Sequence, residues 1–599
     1  MLTNTLQLQA IGKFDNKEVE PQLLDANAQI TSVFKECRRL RQVIRRQDPV
    51  RLNDPVQDLL GTLPSKETCD ILIDGYFRTF EVIYRIMHLP AFWEEYRQMW
   101  ADPQSSSSRF MMKLILILAL GTIFYPDRNN WLQLRKLSRV WIYAAEWWLV
   151  GPSEKSTVNL DGLQVGCLLL LARQTNDFPR MNWLSVGSLQ HMAMAMGLHH
   201  NPEMFPTLSP RQAEIRARLS ATISELVVMG ALDESMPLSF ALQDFDRIVP
   251  SNVNDKDIDQ NDKTHCTPHS VHHFTDSSVQ ILLNRSLPAR TEAVRFLNNN
   301  SRSDQSYRTA LKISHELRAA SRDIAAFFYS SQNQNEDQSQ RDQSLRMTEF
   351  HFKFLDMYLR RYILLLHRPF MIQARRDPRF HMSRKVCLES CMIMTSYVSR
   401  LNLPDDQMDD LSRLAVAGRG SFKGALSLDL ITAFGFELIT QLEEETQSSS
   451  LVSPSVPLSS PSSVGDPLDQ LAKANRAPLI RSLEHLRDQL LQIIALGIPS
   501  LKRYCLLAAI LSQIQAMESG RPIKPAVYET LKESMEKCCS LLRANVTAPM
   551  VGQESTSTMT SGFVGLGPDP LADESDFMNT IVRISIPLSN YLQLFVPMY

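Results

Sequence analysis

The fold is decided by the stretch VGSLQHMAMAMGLHHNPEMFPTLSPRQ, residues 186–212, which contains the end of one helix and the start of the next. Apolar residues recur before its glycine at the spacing of one helix face: Val186, Leu189, Met192, Ala193 and Met196. Gly197 stands where a left-handed residue closes a helix, with Leu198 directly after it and Pro202 just beyond. We therefore predict that the first helix ends at this glycine.

The second half of the stretch predicts a helix start. Ser209 is a favourable N-cap, and Gln212 completes a capping box that opens a helix expected to continue through Leu232. His199 and His200 then lie in the connection between the two helices. Because no further ligand at metal-site spacing lies in this helix pair, we interpret them as partners of a helix C-terminus or as solvated loop residues.

The composition extends this helical pattern to the whole chain. Of 599 residues, 44% are apolar and 21% charged, as in a globular protein, and the 21 glycines are few for an architecture of sheets and turns. The sequence predicts an all-α fold, a large multi-helix domain with disordered loops and a disordered tail. The apolar run from Phe110 contains Lys113 and is too short for a membrane span, so we expect a buried core helix and no membrane partner.

Charge and cysteine content restrict the environment and the partners. The net charge of −2 gives no global basic field for nucleic acid, so any DNA contact has to be a local patch. Nine cysteines without a pairing pattern indicate reduced thiols, and the N-terminus lacks the pattern of a secretory signal. A reducing compartment, the cytosol or the nucleus, is expected.

An N-terminal helix carries the spacing of a coiled-coil seam. The seam positions are Leu23, Ala26, Ile30, Val33, Cys37, Leu40 and Ile44. Two interpretations stay open at this point: the seam binds a second copy in a homodimer, or the helix packs on its own domain.

The densest basic stretch of the chain overlaps the end of this helix. Its arginines are Arg38, Arg39, Arg41, Arg45 and Arg46. They are candidates for phosphate contacts or for a nuclear-import signal, and a solvated helix face is the alternative.

Composition divides the chain into five predicted segments. Polar tracts, including one from Ser330, interrupt the helical patterns as loops. The tail contains FVGLGPDPLADESDF, which is either an amphipathic activation segment or plain disorder. The segments are a linker and coiled-coil helix (1–60), a regulatory domain (61–445), a Ser/Pro-rich linker (446–468), C-terminal helices (469–545) and a largely disordered tail (546–599).

Residues 182–258 resemble the fungal-specific transcription factor domain, the regulatory middle region of binuclear zinc-cluster regulators. The motifs that carry the resemblance are Met196-Gly197-Leu198-His199, Ile215-Arg216-Ala217-Arg218-Leu219, Asp244-Phe245-Asp246 and Pro250-Ser251-Asn252-Val253-Asn254-Asp255. Ser220 stands where the family often has tryptophan. The resemblance implies an all-α domain that controls an attached DNA-binding module, commonly as a homodimer in the nucleus, and often for metabolic or secondary-metabolite genes.

The family's DNA reader is a six-cysteine zinc cluster that begins C-x-x-C, and no such spacing occurs in this sequence. Cys37, Cys69 and Cys167 are isolated, Cys387 and Cys391 lie one helical turn apart, and Cys538 and Cys539 are adjacent. We expect no cofactor in this chain, and zinc only if a cluster is encoded upstream of Met1. Otherwise the protein regulates without it.

Two further groups of polar residues suggest a metal site or an enzyme. The first contains His265, Cys266, His269, His272 and His273, whose spacing matches no recognised metal site, so a solvated loop is favoured.

The second group contains Asp405, Asp406 and Asp409, the pattern with which all-α prenyl-diphosphate enzymes hold magnesium. These aspartates follow Pro404 and open a helix at Leu411, where acidic residues are favourable, and no nucleotide or hydrolase motif occurs. We therefore expect no enzyme.

The sequence predicts a fungal transcription regulator in the nucleus that acts on DNA, directly or through a zinc-cluster partner, and on the transcription machinery. The alternative is an interaction partner that binds no DNA and dimerises with full-length zinc-cluster regulators. A magnesium-dependent prenyl-diphosphate enzyme is the remote alternative.

Overall fold

The structure is a computed structural model that describes residues 29, 32–40, 43, 58–151, 157–176, 182–205, 207–238, 249–260, 268–270, 273–298, 305–333, 347–398, 408–451, 467–496, 498 and 500–547. These residues form α-helices, short 3₁₀ helices and one π-helical turn, and no strand occurs among them. The predicted all-α fold is confirmed.

The chain divides into two compact units. The large unit comprises residues 50–371 and 380–427, and the small unit comprises residues 1–49, 372–379 and 428–599. This division differs from the linear segments predicted by composition, because the N-terminal helix belongs with the C-terminal helices. Composition along a sequence does not reveal such a return of the chain.

The helices that begin in the large unit are α1 (Lys66–Tyr76), α2 (Val82–Tyr84), α3 (Leu89–Ala101), α4 (Ser108–Gly121), α5 (Arg128–Val150), α6 (Leu160–Thr175), α7 (Asn182–Ala195), α8 (Pro210–Glu234), α9 (Asp255–Gln260), α10 (Ser278–Arg285), α11 (Leu287–Asn298), α12 (Gln305–Asn333), α13 (Glu349–Gln373), α14 (His381–Tyr397) and α15 (Asp410–Ala417). The small unit contains a short N-terminal helix (32–40), α16 (Leu428–Leu451), α17 (Pro467–Ala495), α18 (Leu501–Glu518) and α19 (Ile523–Thr547).

The core of the large unit is built around α4. This helix is buried continuously from Phe110 to Gly121, which confirms the predicted core helix. Lys113 is buried within it and donates to Asp161 at 2.8 Å, so the charge that interrupts the apolar run is neutralised. Gly121 is required for close packing, because a Cβ there would lie 2.0 Å from the carbonyl oxygen of Leu72 on α1.

The helix end and helix start in the opening stretch are confirmed. Gly197 has a φ of +73°, and its N–H donates to the Met194 carbonyl while that of Leu198 donates to Ala193, which is a Schellman motif. Ser209 caps α8, whose capping box with Gln212 is complete.

Two polar tracts are more helical than predicted. The tract from Ser330 is helical as far as Asn333, and α16 continues to Leu451, beyond the predicted linker start at 446. Neither extension contains a glycine or proline, so nothing in the backbone ends these helices early. The rest of both tracts, and the predicted activation segment, lie outside the described residues.

One helical stretch among the described residues, Gly420–Gln447, has the length and apolar composition to cross a membrane. Its apolar window is 72% buried inside the protein, as in a core helix.

Candidate functional site: a buried charged stripe on α8

Four charged residues of α8 are buried in the large unit: Glu214, Arg218, Glu225 and Asp233. We call this set the α8 charged stripe. Glu214, Arg218 and Glu225 are buried as whole residues, and Asp233 is half-buried with a side chain that is 8% exposed. Since buried charges are stable only when they are paired, each member identifies a partner in another element.

The first partnership joins two motifs of the sequence. Arg218, from the IRARL motif, donates through Nη1 to the carboxylate of Asp255, from the PSNVND motif, and through Nε to Glu214 at 2.9 Å. Glu214 in turn accepts the Ser251 backbone N–H at 3.2 Å. The residue types of these motifs therefore serve one buried ion network.

Asp255 also binds Arg85, which lies directly after α2. Arg85 has a φ of +47°, in the left-handed region that non-glycine residues rarely adopt. This conformation follows a π-helical turn, Phe77–Glu81, and places the guanidinium on the Asp255 carboxylate. The Leu89 backbone N–H donates to the same carboxylate at 2.9 Å.

Glu81 completes this network. Its carboxylate accepts Tyr76 Oη at 2.7 Å and the Met87 backbone N–H at 3.0 Å, and it lies 3.6 Å from Arg85. Complete burial raises the pKa of Glu81 to about 7, against the opposing effect of Arg85.

Asp255 behaves oppositely although it is also buried. Burial alone would raise its pKa, but the charges of Arg85 and Arg218 outweigh this effect and hold the pKa well below the usual value. Asp255 is thus ionised at every physiological pH, whereas Glu81 titrates near neutrality.

The second partnership lies further along α8. Arg290 of α11 donates to Glu225, which also accepts Tyr358 Oη from α13 at 2.8 Å. Tyr362 continues the network at 3.0 Å from Tyr358.

The third partnership is near the end of α8. Arg361 of α13 donates to Asp233, and Ser421 contributes a backbone N–H at 3.0 Å and a hydroxyl at 2.9 Å. The α8 charged stripe therefore links α8 to four other parts of the large unit.

The candidate metal residues are placed individually. His199 and His200 lie after α7 with their rings 3.8 Å apart. His269 contacts Asp257 at 3.1 Å, and its ring is 4.6 Å from that of His273. Within the described residues, no group of three or more His, Cys, Asp or Glu side chains is arranged to hold a metal ion. His265, Cys266 and His272 lie outside them.

Asp409 occupies the predicted helix start. Its carboxylate accepts the Ser412 backbone N–H at 2.8 Å as the N-cap of α15. Its neighbour Asp410 pairs with Arg78 at 2.9 Å. Asp405 and Asp406 lie outside the described residues.

The predicted seam is only partly described. Cys37 and Leu40 are buried inside the small unit, and Val33 is half-buried, while Leu23, Ile30 and Ile44 lie outside the described residues. Two seam positions thus pack within the chain, as in the second interpretation of the helix; the dimer itself stays a prediction.

Of the basic stretch, Arg38 and Arg39 are described, and Arg39 pairs with Glu36 at 2.8 Å. Arg41, Arg45 and Arg46 lie outside the described residues, so phosphate binding by this stretch stays a prediction.

Sequence reasoning missed Arg85, Glu81 and the inward charges of α8. No local motif marks Arg85 or Glu81. For α8, the charges Glu214, Arg218 and Glu225 at four- and seven-residue spacing were a usable signal, since they share one face of the helix.

Comparison with known proteins agrees with the motif geometry. Residues 73–356, which include Arg85, Arg218 and Asp255, match the model of the fungal specific transcription factor domain. The chain is 56% identical to transcription factor opdR of Penicillium oxalicum, across 97% of this chain and 72% of that protein. The chain belongs to this family of fungal transcription factors.

More distant relatives include another transcription factor and a cluster regulator. Transcription factor lepE of Aspergillus flavus is 31% identical across 86% of this chain and 60% of its own length. The aspyridones cluster regulator apdR of Emericella nidulans is 27% identical across 81% of this chain and 59% of its own length. The chain thus spans about three fifths of these two relatives. No solved structure matches the chain.

Proposed function

We propose that this chain regulates transcription of a secondary-metabolite biosynthetic gene cluster in the nucleus and is not an enzyme. The 56% identity to a fungal transcription factor across nearly the whole chain carries this proposal. The similarity to a named cluster regulator supports the class of target genes.

In this proposal the large unit is the regulatory part and the α8 charged stripe holds it in one arrangement. A buried ion pair does not loosen gradually, because separating Arg218 from Asp255 weakens the charge compensation of both groups in the interior. Such a network favours switching between discrete states.

Deletion of the gene tests the proposal. RNA sequencing of the deletion strain should show loss of transcripts from one contiguous set of biosynthetic genes, and a copy of the chain restored elsewhere in the genome should recover them. Unchanged biosynthetic transcripts in both strains would contradict it. Chromatin immunoprecipitation of the tagged chain identifies the promoters that it occupies.

A second experiment separates direct DNA binding from action through a partner. If the arginines of the basic stretch contact phosphates, the affinity of the purified chain for DNA should fall steeply with salt concentration, with a slope set by the phosphates neutralised. A chain that acts as the partner of a zinc-cluster regulator should bind no DNA of its own. It should form a dimer through the seam, and Leu40→Asp should disrupt that dimer.

A further inference from the structure

The described part of the N-terminal helix contacts α19 of the small unit. Among its described residues only Cys37 and Leu40 are fully buried, at 2% and 4% exposure. Cys37 Sγ lies 3.9 Å from the Met535 carbonyl oxygen of α19, and Glu36 lies 3.6 Å from Arg543 of the same helix. Because Cys37 is buried in this contact, a dissolved oxidant reaches its thiol only when the helix opens locally.

The N-terminal helix, α18 and α19 together carry four buried free thiols: Cys37, Cys505 of α18, and Cys538 and Cys539 of α19. They form two pairs. Cys37 faces the turn of α19 that joins Met535 to Cys539 and interacts with Cys539, and Cys505 interacts with Cys538. The adjacent cysteines of α19 thus have different partners. Of the two pairs, that of Cys37 and Cys539 joins the N-terminal helix to a helix about 500 residues later in the chain.

We propose that Cys37 and Cys539 are a dithiol oxidation site, where a hydroperoxide forms an intrachain disulfide that fixes the N-terminal helix on α19. The Cys37 thiolate attacks one peroxide oxygen, the O–O bond breaks, and the products are a sulfenic acid and water when the oxidant is hydrogen peroxide. The Cys539 thiol then displaces the sulfenic hydroxyl as a second water. Two thiols lose two protons and two electrons, and one peroxide is reduced to two waters.

Docking controls the first step. In the docked helix, burial raises the pKa of the Cys37 thiol, with Cys539 and Cys538 adding to the effect, so the thiol stays protonated and unreactive. Opening of the helix exposes it to solvent and peroxide. Redocking then returns the sulfenic acid to Cys539, the thiol that it already contacts.

The disulfide would change the availability of the N-terminal helix. It would hold Cys37 on α19 and keep Leu40 of the same helix buried, which withholds two seam positions from any partner helix. Arg38 and Arg39, at the start of the basic stretch, would be held at the same surface. Formation of the Cys37–Cys539 disulfide does not depend on the proposed regulatory role, so a failed gene-deletion experiment would not contradict it.

Mass spectrometry of the whole reduced chain tests the proposal. The protein is treated with hydrogen peroxide, remaining thiols are blocked with N-ethylmaleimide, and the digest is analysed without reduction. We expect a cross-linked peptide pair containing Cys37 and Cys539 that dithiothreitol separates. A digest with only a Cys505–Cys538 link, only a link between the adjacent cysteines of α19, or only sulfinic and sulfonic products would overturn it.

Variants test the control by docking. Cys539→Ser should abolish the link, whereas Cys505→Ser should retain it. Leu40→Ala should weaken docking and increase the rate of Cys37 oxidation several-fold, because opening precedes reaction. An unchanged rate of Cys37 oxidation in a folded Leu40→Ala protein would overturn the control by helix opening. The cross-linked peptide from the unsubstituted chain tests the disulfide itself and needs no variant.

Discussion

Arg85 and Asp255, which lie 170 positions apart in the chain, form a buried ion pair in which the arginine holds a left-handed backbone conformation. Asp255 is shared with Arg218, so one carboxylate pairs with two guanidinium groups from different parts of the large unit. The rare conformation of Arg85 is therefore stabilised by charge pairing.

Asp255→Asn should destabilise the large unit strongly. The substitution removes the carboxylate that Arg85 and Arg218 share, so Arg218 keeps only Glu214 and Arg85 keeps only Glu81. Breaking a buried ion pair in this way costs about 3–5 kcal/mol. Urea unfolding followed by circular dichroism measures the loss. Glu94→Gln is a matched control, because its pair with Arg97 is exposed and the expected change is within about 1 kcal/mol. Equal effects of the two substitutions would refute this account of the network.

Glu81 should make stability depend on pH below neutrality. Its folded-state pKa of about 7 lies above the reference value of 4.5, so the folded protein keeps a proton that the unfolded chain releases between these values. The contribution of Glu81 to the free energy of unfolding therefore falls as pH rises from 4.5 through 7, and is constant above that range.

Glu81→Gln isolates this contribution, since the amide is neutral at every pH. The difference in melting temperature between the variant and the unsubstituted protein should change between pH 5 and pH 8, with the variant gaining relative stability at the higher pH. A pH-independent difference would show that Glu81 does not titrate in this range. The groups that face it are Tyr76, Arg85 and Asp255.

Gly121→Ala should be destabilising, whereas Gly187→Ala should not. A Cβ at position 121 would meet the Leu72 backbone at 2.0 Å, and a backbone carbonyl cannot move aside as a flexible side chain can. At Gly187, inside α7, no atom lies within 4 Å of the added carbon, and alanine should stabilise the helix by up to about 1 kcal/mol. Thermal unfolding of the two variants gives the comparison.

Ser209→Ala should cost about 1 kcal/mol, because the Gln212 N–H at the start of α8 loses its acceptor at 3.2 Å. Ser209→Asp keeps an acceptor at this position and should restore most of the stability. Equal destabilisation by alanine and aspartate in chemical denaturation would show that the hydrogen-bond acceptor at position 209 does not stabilise the large unit.

Local signals in the sequence were sufficient to predict the helices of the opening stretch and the residues at which they end and begin. The left-handed Gly197 and the capping box at Ser209 depend on residues within a few positions of each other, and both were predicted correctly. The buried position of Lys113 followed from the apolar residues around it.

The ion networks depend on distant parts of the chain and were not predictable in this way. Nothing near Glu81 in the sequence indicates that Tyr76 and Arg85 enclose it, and nothing near Cys37 indicates Cys539. The seam spacing of Cys37 and Leu40 showed that this face is covered, but spacing alone does not distinguish a second copy from the chain's own C-terminal helices.

The double use of Asp255 also constrains how this protein can evolve. A mutation that removes its charge breaks ion pairs with two arginines that are encoded far apart in the gene. The intermediate protein is destabilised until a second site changes. Substitutions at Asp255 should therefore be accompanied by changes at Arg85 or Arg218, so the three positions should vary together among descendants.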